Sequence, residues 1–249
     1  MRERGYSVLE LIVVVGVFTL IAGATFALLN ASQQRYQVES QVLEQFQGAR
    51  LALDQFTRDV HTAGYPPMKS LPTAVVAASP QLAAYPFAWR PGYLAGAPCT
   101  VGAGCTNPGP FDLIIETDLD PENNNGVEWV RYTLQGTTLF RAVVSKVAGV
   151  SPTAATQAAG ALVPYVENVM NNATPAQINL IRNSYPALFP GGQPVPVFTY
   201  VFDSGKPSTP QYIREVNITL IVQAPQLDPR TRQPRVVTLT GLARRLNPS

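Results

Sequence analysis

Charge, histidine and cysteine are all scarce in this sequence. Only 14% of the 249 residues are charged, against roughly a quarter in an average soluble domain. The net charge of +2 gives no reason to expect a nucleic-acid surface. His61 is the only histidine, and no Gly-x-Ser-x-Gly, His-Glu-x-x-His, Walker or dinucleotide-binding glycine motif occurs. We therefore expect that the protein is not an enzyme.

A long apolar run, in contrast, is present near the amino terminus. Residues 11–29 contain no charge, proline, asparagine or glutamine. At about 1.5 Å per residue they span roughly 28 Å, close to the hydrocarbon core of a bilayer. Arg2 and Arg4 precede the run, so the positive-inside tendency keeps the amino terminus cytoplasmic and exports the chain beyond Leu29.

Glu10 borders this run and helps to classify it. A carboxylate carried toward the bilayer centre costs on the order of 2.5 to 3.5 kcal/mol. A secretory signal peptide has a shorter apolar region, about 7 to 15 residues, and has no use for such a charge. In a plain signal anchor Glu10 would be a poorly placed interfacial charge. The carboxylate therefore predicts a partner.

The sequence of residues 4–12, RGYSVLELI, resembles the processing motif of the type IV pilin family, which includes the pseudopilins of type II secretion. The resemblance implies that a prepilin peptidase cuts after Gly5 and methylates the new amino terminus at Tyr6. It also implies that Glu10 pairs with that amine in a neighbouring subunit. Tyr6 stands where the family usually has Phe, and Ala27 stands where many major pilins have a helix-loosening proline.

An amphipathic pattern follows the apolar run. The spacing of its apolar residues predicts that one helix extends from Ser7 to Ala63, and Gly64 with the prolines after Tyr65 ends it. The apolar stripe consists of Val38, Val42, Phe46, Ala49, Leu53, Phe56 and Val60. We expect it to pack on the protein's own head rather than in a coiled coil, because it has under four clear heptads.

Two further segments narrow the resemblance within the family. Residues 51–65, which end in Ala-Gly-Tyr, and residues 236–247 near the carboxyl terminus are similar to W-type minor pilins and J-type pseudopilins. Glu10 argues against the K-type tip pseudopilin, which lacks this residue. The implied organisation is a leader at 1–5, a membrane or filament-core helix at 6–29, its amphipathic continuation at 30–63 and an exported head at 64–249.

The head is predicted to contain a mostly antiparallel sheet, so the fold class is α+β, a pilin fold. Residues 66–110 indicate a long loop with short pieces of structure. The strands form one predicted antiparallel meander, with a turn at Gly136 and Thr137. The segments are Phe111–Thr117, Trp129–Leu134, Leu139–Val144, Val197–Phe202, Ile213–Gln223 and Arg235–Leu242, with a further strand within Ala161–Met170 and a helix at Ala176–Asn183.

Cys99 and Cys105 are the only cysteines. If the head is exported they face an oxidising compartment, where a disulfide closing a small loop stabilises by roughly 2 kcal/mol. Metal or redox chemistry is the alternative, but five intervening residues suit neither a Cys-x-x-Cys site nor a zinc knuckle.

The loop 118–128 is rich in oxygen ligands of the kind that calcium takes. The candidate ligands are Asp118, Asp120, Asn123, Asn125 and Glu128. The loop only half matches an EF-hand, and turn chemistry explains the same residues. We expect no cofactor, with calcium as the alternative.

A basic cluster lies near the carboxyl terminus, at Arg230, Arg232, Arg235, Arg244 and Arg245. A solvated strand edge explains it, although contact with DNA or with an acidic neighbour is an alternative.

The functional expectation is a minor pilin that takes part in initiation or at the tip of a type IV pilus, placed in the bacterial inner membrane with its head in the periplasm. A J-type pseudopilin of type II secretion is the alternative within the family. The alternatives from other functional classes are a membrane-anchored adhesin or DNA-binding tip module, and a plain membrane-anchored protein. The implied partners are other pilins or pseudopilins, the prepilin peptidase, the inner-membrane assembly platform and membrane lipid.

Overall fold

The computed structural model describes residues 7–89, 98–122, 126–228 and 231–247. Its first element is a helix of 55 residues, α1 (Val8–Thr62), about 82 Å long at helical rise. Ser7 is the amino-terminal cap and Ala63 the carboxyl-terminal cap. The predicted helix is therefore confirmed.

Two antiparallel sheets form the head, where the sequence predicted one meander. In the first sheet the strands lie in chain order, and in the second sheet the last three strands do the same. The first sheet consists of β1 (Asp112–Thr117), β2 (Glu128–Gln135), β3 (Thr138–Ser145) and β4 (Leu162–Val166), and the second of β5 (Phe198–Phe202), β6 (Ile213–Gln223) and β7 (Val236–Arg244).

Helical segments connect and flank the sheets. The last helix, α4 (Pro175–Ser184), begins with a capping box, in which Thr174 caps the backbone of Gln177, and has Pro175 in its first turn, where a missing N–H does no harm. The helices are α2 (Thr73–Ala78), α3 (Pro152–Gln157) and α4 (Pro175–Ser184), with single 3-10 turns at Met68–Ser70, Pro80–Leu82, Pro190–Gly192 and Pro210–Tyr212. The sequence predicted α4 but not α3, since six residues are too few to show a helical period.

The core lies between α1 and the two sheets. Phe56 of α1 contacts Tyr132 of the first sheet edge to face, with 5.2 Å between ring centroids. It also stacks on Phe198 of the second sheet at 5.6 Å. Val169 links the sheets directly, because its N–H donates to Thr137 O and it pairs with Val222 in an isolated bridge. The fold is α+β, with a long amino-terminal helix and a mostly antiparallel head, as predicted.

The first sheet is covered on both faces, which explains why β2 is buried at seven of its eight positions. Ala88 and Trp129 form a small second cluster on the face away from α1. This cover comes from the irregular segment before residue 90 and from α3. Alternating hydrophobicity predicts half-buried strands only, so it gave no sign of this second layer.

Candidate functional site

The first half of α1 projects beyond the head with its apolar side chains uncovered. We call residues 8–37 the stem and residues 38–62 the anchored half. Every stem residue is exposed except Ala22, which is half-buried, and Leu20 is 75% exposed. At helical rise the stem is about 45 Å long. An apolar surface of this extent on a soluble monomer marks an interaction or membrane site.

Membrane insertion is compatible with the stem by length and composition. Among the described residues α1 is the one helix that passes this test, with a mean hydropathy of 2.6 in its most apolar window of 18 residues and none of that window buried.

Glu10 and Ser7 form a capping box at the start of α1. The Ser7 N–H donates to Glu10 Oε2 at 3.1 Å, and the Leu9 N–H donates to Ser7 Oγ at 3.3 Å. The carboxylate also lies near the positive end of the helix dipole. Glu10 thus has a partner within its own chain, where the sequence predicted one in a second subunit. Its pairing with Tyr6 stays a prediction, and Gly5 and Tyr6 lie outside the described residues.

A buried carboxylate, Asp59, fixes the anchored half to the first sheet. Asp59 is 1% exposed. Its Oδ2 accepts from Tyr132 Oη at 2.5 Å and from Arg141 Nη2 at 2.8 Å, and its Oδ1 accepts from Gln55 Nε2 at 2.8 Å. Burial, and then the charge of Asp59, raises the pKa of Tyr132 well above its ordinary value. A buried charge matched by this many donors orients the helix on the sheet.

Asp59 was not among the site residues predicted from the sequence. A signal was present, because Asp59 lies between Phe56 and Val60 on the face of the helix that carries the apolar stripe. A carboxylate at such a position needs buried donors, but only the tertiary structure shows that β2 and β3 supply them.

The carboxyl-terminal end of α1 is held by backbone and side-chain contacts. The Thr62 carbonyl accepts from Thr117 Oγ1 at 3.0 Å and from Asn247 Nδ2 at 3.1 Å. Gly64 has a φ of +80°, which favours glycine, and its N–H donates to Glu116 O at 2.8 Å. These contacts satisfy carbonyls that a helix end leaves open and attach the end of α1 to the head.

A second buried ion pair attaches the irregular segment before residue 90 to the first sheet. Glu116 is fully buried, and Lys146 Nζ donates to its Oε2 at 2.7 Å. Trp129 Nε1–H donates to Oε1 at 2.7 Å, and the Tyr85 N–H donates to Oε2 at 2.9 Å. Lys146 Nζ also donates to Ala83 O at 2.8 Å. This network explains why residues 83–88 are ordered against β1 although they form no regular element.

The cysteines form a disulfide in the structure, Cys99 to Cys105, with 5.2 Å between their Cα atoms. The enclosed turn is closed by the N–H groups of Gly104 and Cys105, both of which donate to Thr100 O. Val101 N–H donates to Ser208 O at 2.8 Å. The disulfide therefore closes this turn, and the Val101 hydrogen bond joins the turn to the segment that precedes β6.

In the described part of the loop 118–128, the carboxylates accept hydrogen bonds from backbone N–H groups of the same loop. Glu128 Oε2 accepts from the Leu119 N–H at 2.9 Å, and Asp118 Oδ1 accepts from the Asp120 N–H at 3.1 Å. Burial raises the pKa of Glu128, the Leu119 hydrogen bond lowers it, and the charge of Asp118 raises it further.

The described residues contain no group of three or more His, Cys, Asp or Glu side chains placed to hold a metal ion. Asn123 and Asn125 lie outside the described residues. Calcium binding stays the alternative to the expectation of no cofactor.

Ion pairs occupy part of the basic cluster. Arg235 Nη2 lies 2.8 Å from Asp228 Oδ2, and Arg245 Nη2 lies 2.9 Å from Asp203 Oδ2. Arg232 and Arg244 are exposed, and Arg230 lies outside the described residues. Two of the predicted cations thus have carboxylate partners within the head, which weakens the case for a DNA-binding surface.

No protein-family model, curated protein or solved structure matches this chain.

Proposed function

We propose that this protein is a pilin-like structural subunit, a minor pilin that takes part in the initiation or tip of a type IV pilus. The observation that carries the proposal is the uncovered apolar stem, which continues without a break into a helix half fixed to the head by Asp59. The leader motif at residues 4–12 supports it. The role is structural rather than enzymatic.

The stem would lie in the bacterial inner membrane before assembly, with the head in the periplasm. Stems of other pilins would replace lipid around it in the filament, since both environments are apolar. The buried contacts of Asp59 and the contacts at Thr62 would hold the head in a fixed orientation on the stem. The prepilin peptidase and the assembly platform would be its partners in the membrane.

A plain membrane-anchored periplasmic protein is a second candidate function. The capping box favours it, because Ser7 supplies Glu10 with a partner without any second subunit. In this case the stem would serve as an anchor only.

Processing of Gly5 separates the two functions. We expect the full chain, coexpressed with a prepilin peptidase, to lose residues 1–5 and gain one methyl group by intact-mass spectrometry. A Gly5→Glu variant should keep its full mass. The control is Gly16→Ala, since a Cβ at Gly16 would meet nothing within 4 Å, and this variant should be processed normally. An unprocessed wild-type chain would refute the pilin proposal.

The variant Glu10→Gln then tests whether Glu10 acts only by capping the helix or also by pairing with a second subunit. Glutamine also completes a capping box, so the variant keeps the helix start while removing the negative charge. We expect Glu10→Gln to be processed and to stay in the membrane but to be absent from sheared filaments, detected with antibody to the head. Normal incorporation would show that capping is the whole role of Glu10.

A further inference from the structure

The outer edges of the two sheets are protected to different degrees. In the first sheet, residues 86–88 cover the outer edge of β1, where the Ala88 N–H donates to Ile114 O at 2.9 Å. The opposite edge strand, β4, contains Pro164, which has no N–H to offer. Its pairing with β3 is also shifted at the step from Leu139 to Phe140. Proteins commonly block sheet edges in these ways.

The second sheet has one protected edge and one open edge. Strand β5 has only five residues and a register shift between Val201 and Phe202. Strand β7, at the other edge, has nine residues in unbroken register with β6 and contains neither proline nor lysine. Its one charged residue, Arg244, lies at the last position, so residues 236–243 form a long edge without the usual protection.

The pairing of β7 with β6 shows which backbone groups face outward. The Arg245 N–H donates to Arg214 O and the Ala224 N–H donates to Arg235 O. Because bonded and non-bonded residues alternate in an antiparallel pair, the odd-numbered residues of β7 bond to β6 and the even-numbered ones face away. The outward residues are Val236, Thr238, Thr240, Leu242 and Arg244. Within the described part of the chain no hydrogen bond reaches their outward backbone groups.

A groove of about 710 Å³ runs beside this edge, between β7 and the anchored half of α1. Its apolar wall includes Phe46, Leu53 and Leu239, and its polar residues include Arg50 and Asp54. A Cβ at Gly241 would lie 3.2 Å from Ile218 Cγ2, which is tight, and 3.5 Å from Leu53 Cδ2 of the helix, which is ordinary contact. The groove is thus a place for side chains immediately next to unpaired backbone groups.

We propose that the outer edge of β7, with this groove, is an acceptor site for an extended peptide strand that carries apolar side chains at alternate positions. Such a strand satisfies the outward N–H and C=O groups, and every second side chain enters the groove, which is how strand addition achieves affinity and specificity. Arg50 and Asp54 have opposite charges, so the site suits a strand of low net charge.

A helix or a small molecule could fill the groove but would leave the row of backbone groups unmatched. If two copies paired through β7, both α1 helices would lie on the same face of the joined sheet. Each helix would then lie beside the groove of the other copy. A strand that carries no helix of its own therefore fits the site better. The inference stands apart from the proposed function, because it rests on the head and the anchored half alone.

The test uses a synthetic peptide of residues 213–223, the sequence of β6, as the probe. This sequence already pairs with the inner edge of β7 and has apolar residues at alternate positions. The full chain in detergent micelles is mixed with the peptide, and amide exchange is measured residue by residue. We expect exchange to slow at the outward residues and to stay unchanged at the odd-numbered residues, which are already bonded to β6. A peptide of the same composition with its apolar residues grouped should have no effect.

A matched pair of variants tests the backbone contribution. Thr240→Pro removes an outward N–H and should weaken peptide binding by about tenfold or more, whereas Thr240→Ala keeps the N–H and should bind as the wild type does. Near-UV circular dichroism checks folding, and Thr240→Lys, a typical edge-blocking charge, serves if the proline variant does not fold.

Equal binding by the blocked variant would overturn the proposal. So would protection of the outward amides in the peptide-free chain at low concentration. Protection that rises with the concentration of the chain alone would assign the edge to a second copy, and would equally overturn it.

Discussion

The two halves of α1 share one continuous backbone but have different surroundings. In the stem the apolar side chains lie on all sides and are exposed. In the anchored half they form one stripe, and the side chains of Ala49, Leu53 and Phe56 are buried against both sheets. A helix that is apolar all round suits an apolar solvent, whereas a striped helix suits a surface on one side and water on the other.

The acidic residues of the two halves, Glu10 and Asp59, show the same contrast. The stem residue Glu10 is exposed and makes a short-range contact to Ser7, three residues away. Asp59 is buried and contacts residues 73 and 82 positions along the chain. A local cap can form in an isolated helix, but the Asp59 contacts exist only when the head has folded. The two halves should therefore respond to substitution in different ways.

The largest expected effect is on the free energy of unfolding when Asp59 is replaced. Asp59→Ala leaves the Arg141 charge without its carboxylate and the Tyr132 O–H without an acceptor, and breaking a buried pair in this way destabilises by about 3 to 5 kcal/mol. Chemical denaturation of the full chain in micelles, followed by tryptophan fluorescence, measures it. Asp54→Ala, an exposed carboxylate on the same helix half, should change stability by less than about 0.5 kcal/mol. Similar losses in both variants would contradict the assigned role of Asp59.

A charge in the stem should act on membrane insertion instead. Leu20 is central in the apolar run, and Leu20→Arg should disfavour insertion by about 2.5 to 3.5 kcal/mol while leaving the denaturation midpoint of the head unchanged. Carbonate extraction of membranes measures the retained fraction. Leu51→Arg is the control, because Leu51 is 69% exposed but lies in the anchored half. Full retention of Leu20→Arg would mean that the stem does not span the membrane.

The ionisation of Tyr132 should have a smaller, pH-dependent effect on stability, confined to the contacts of the anchored half. Its pKa is raised above 10.0 by burial and by Asp59, so above about pH 10 the unfolded chain ionises this group while the folded chain keeps it protonated. Its contribution to stability is thus complete below pH 10 and falls by about 1.4 kcal/mol per pH unit above it.

Tyr132→Phe should remove the part of the stability loss above pH 10 that comes from Tyr132. At neutral pH the variant should be less stable by about 1 kcal/mol, because a hydrogen bond is lost. Some alkaline loss will remain, since the pKa of Tyr200 is also raised by burial. Urea denaturation at pH 7, 10 and 11 checks both parts. An unchanged alkaline slope would show that Tyr132 is accessible to ionisation in the folded protein.

Local patterns in the sequence were sufficient for most elements of the fold. The helix period and the signal at Gly64 predicted both ends of α1, and alternation in β6 predicted Ile213–Gln223 with the observed bounds. The stem and Glu10 were also identified, because a run of apolar residues and a charge beside it need no tertiary information. What the sequence could not provide was the division of the strands into two sheets, since pairing across long separations leaves no local signal.

The tertiary structure alone decided which polar residues matter and which surfaces are free. Asp59, Glu116 and Lys146 are charged residues like many others in the sequence, and they become structural only because distant strands bring their partners within hydrogen-bond distance. The open edge of β7 likewise depends on what covers the other sheet edges. Hydrophobic periodicity is a property of neighbouring residues, and the sequence by itself therefore determined the helix and its apolar stem. Burial and pairing are properties of the folded chain, so only the fold could decide how the head is fixed to that helix.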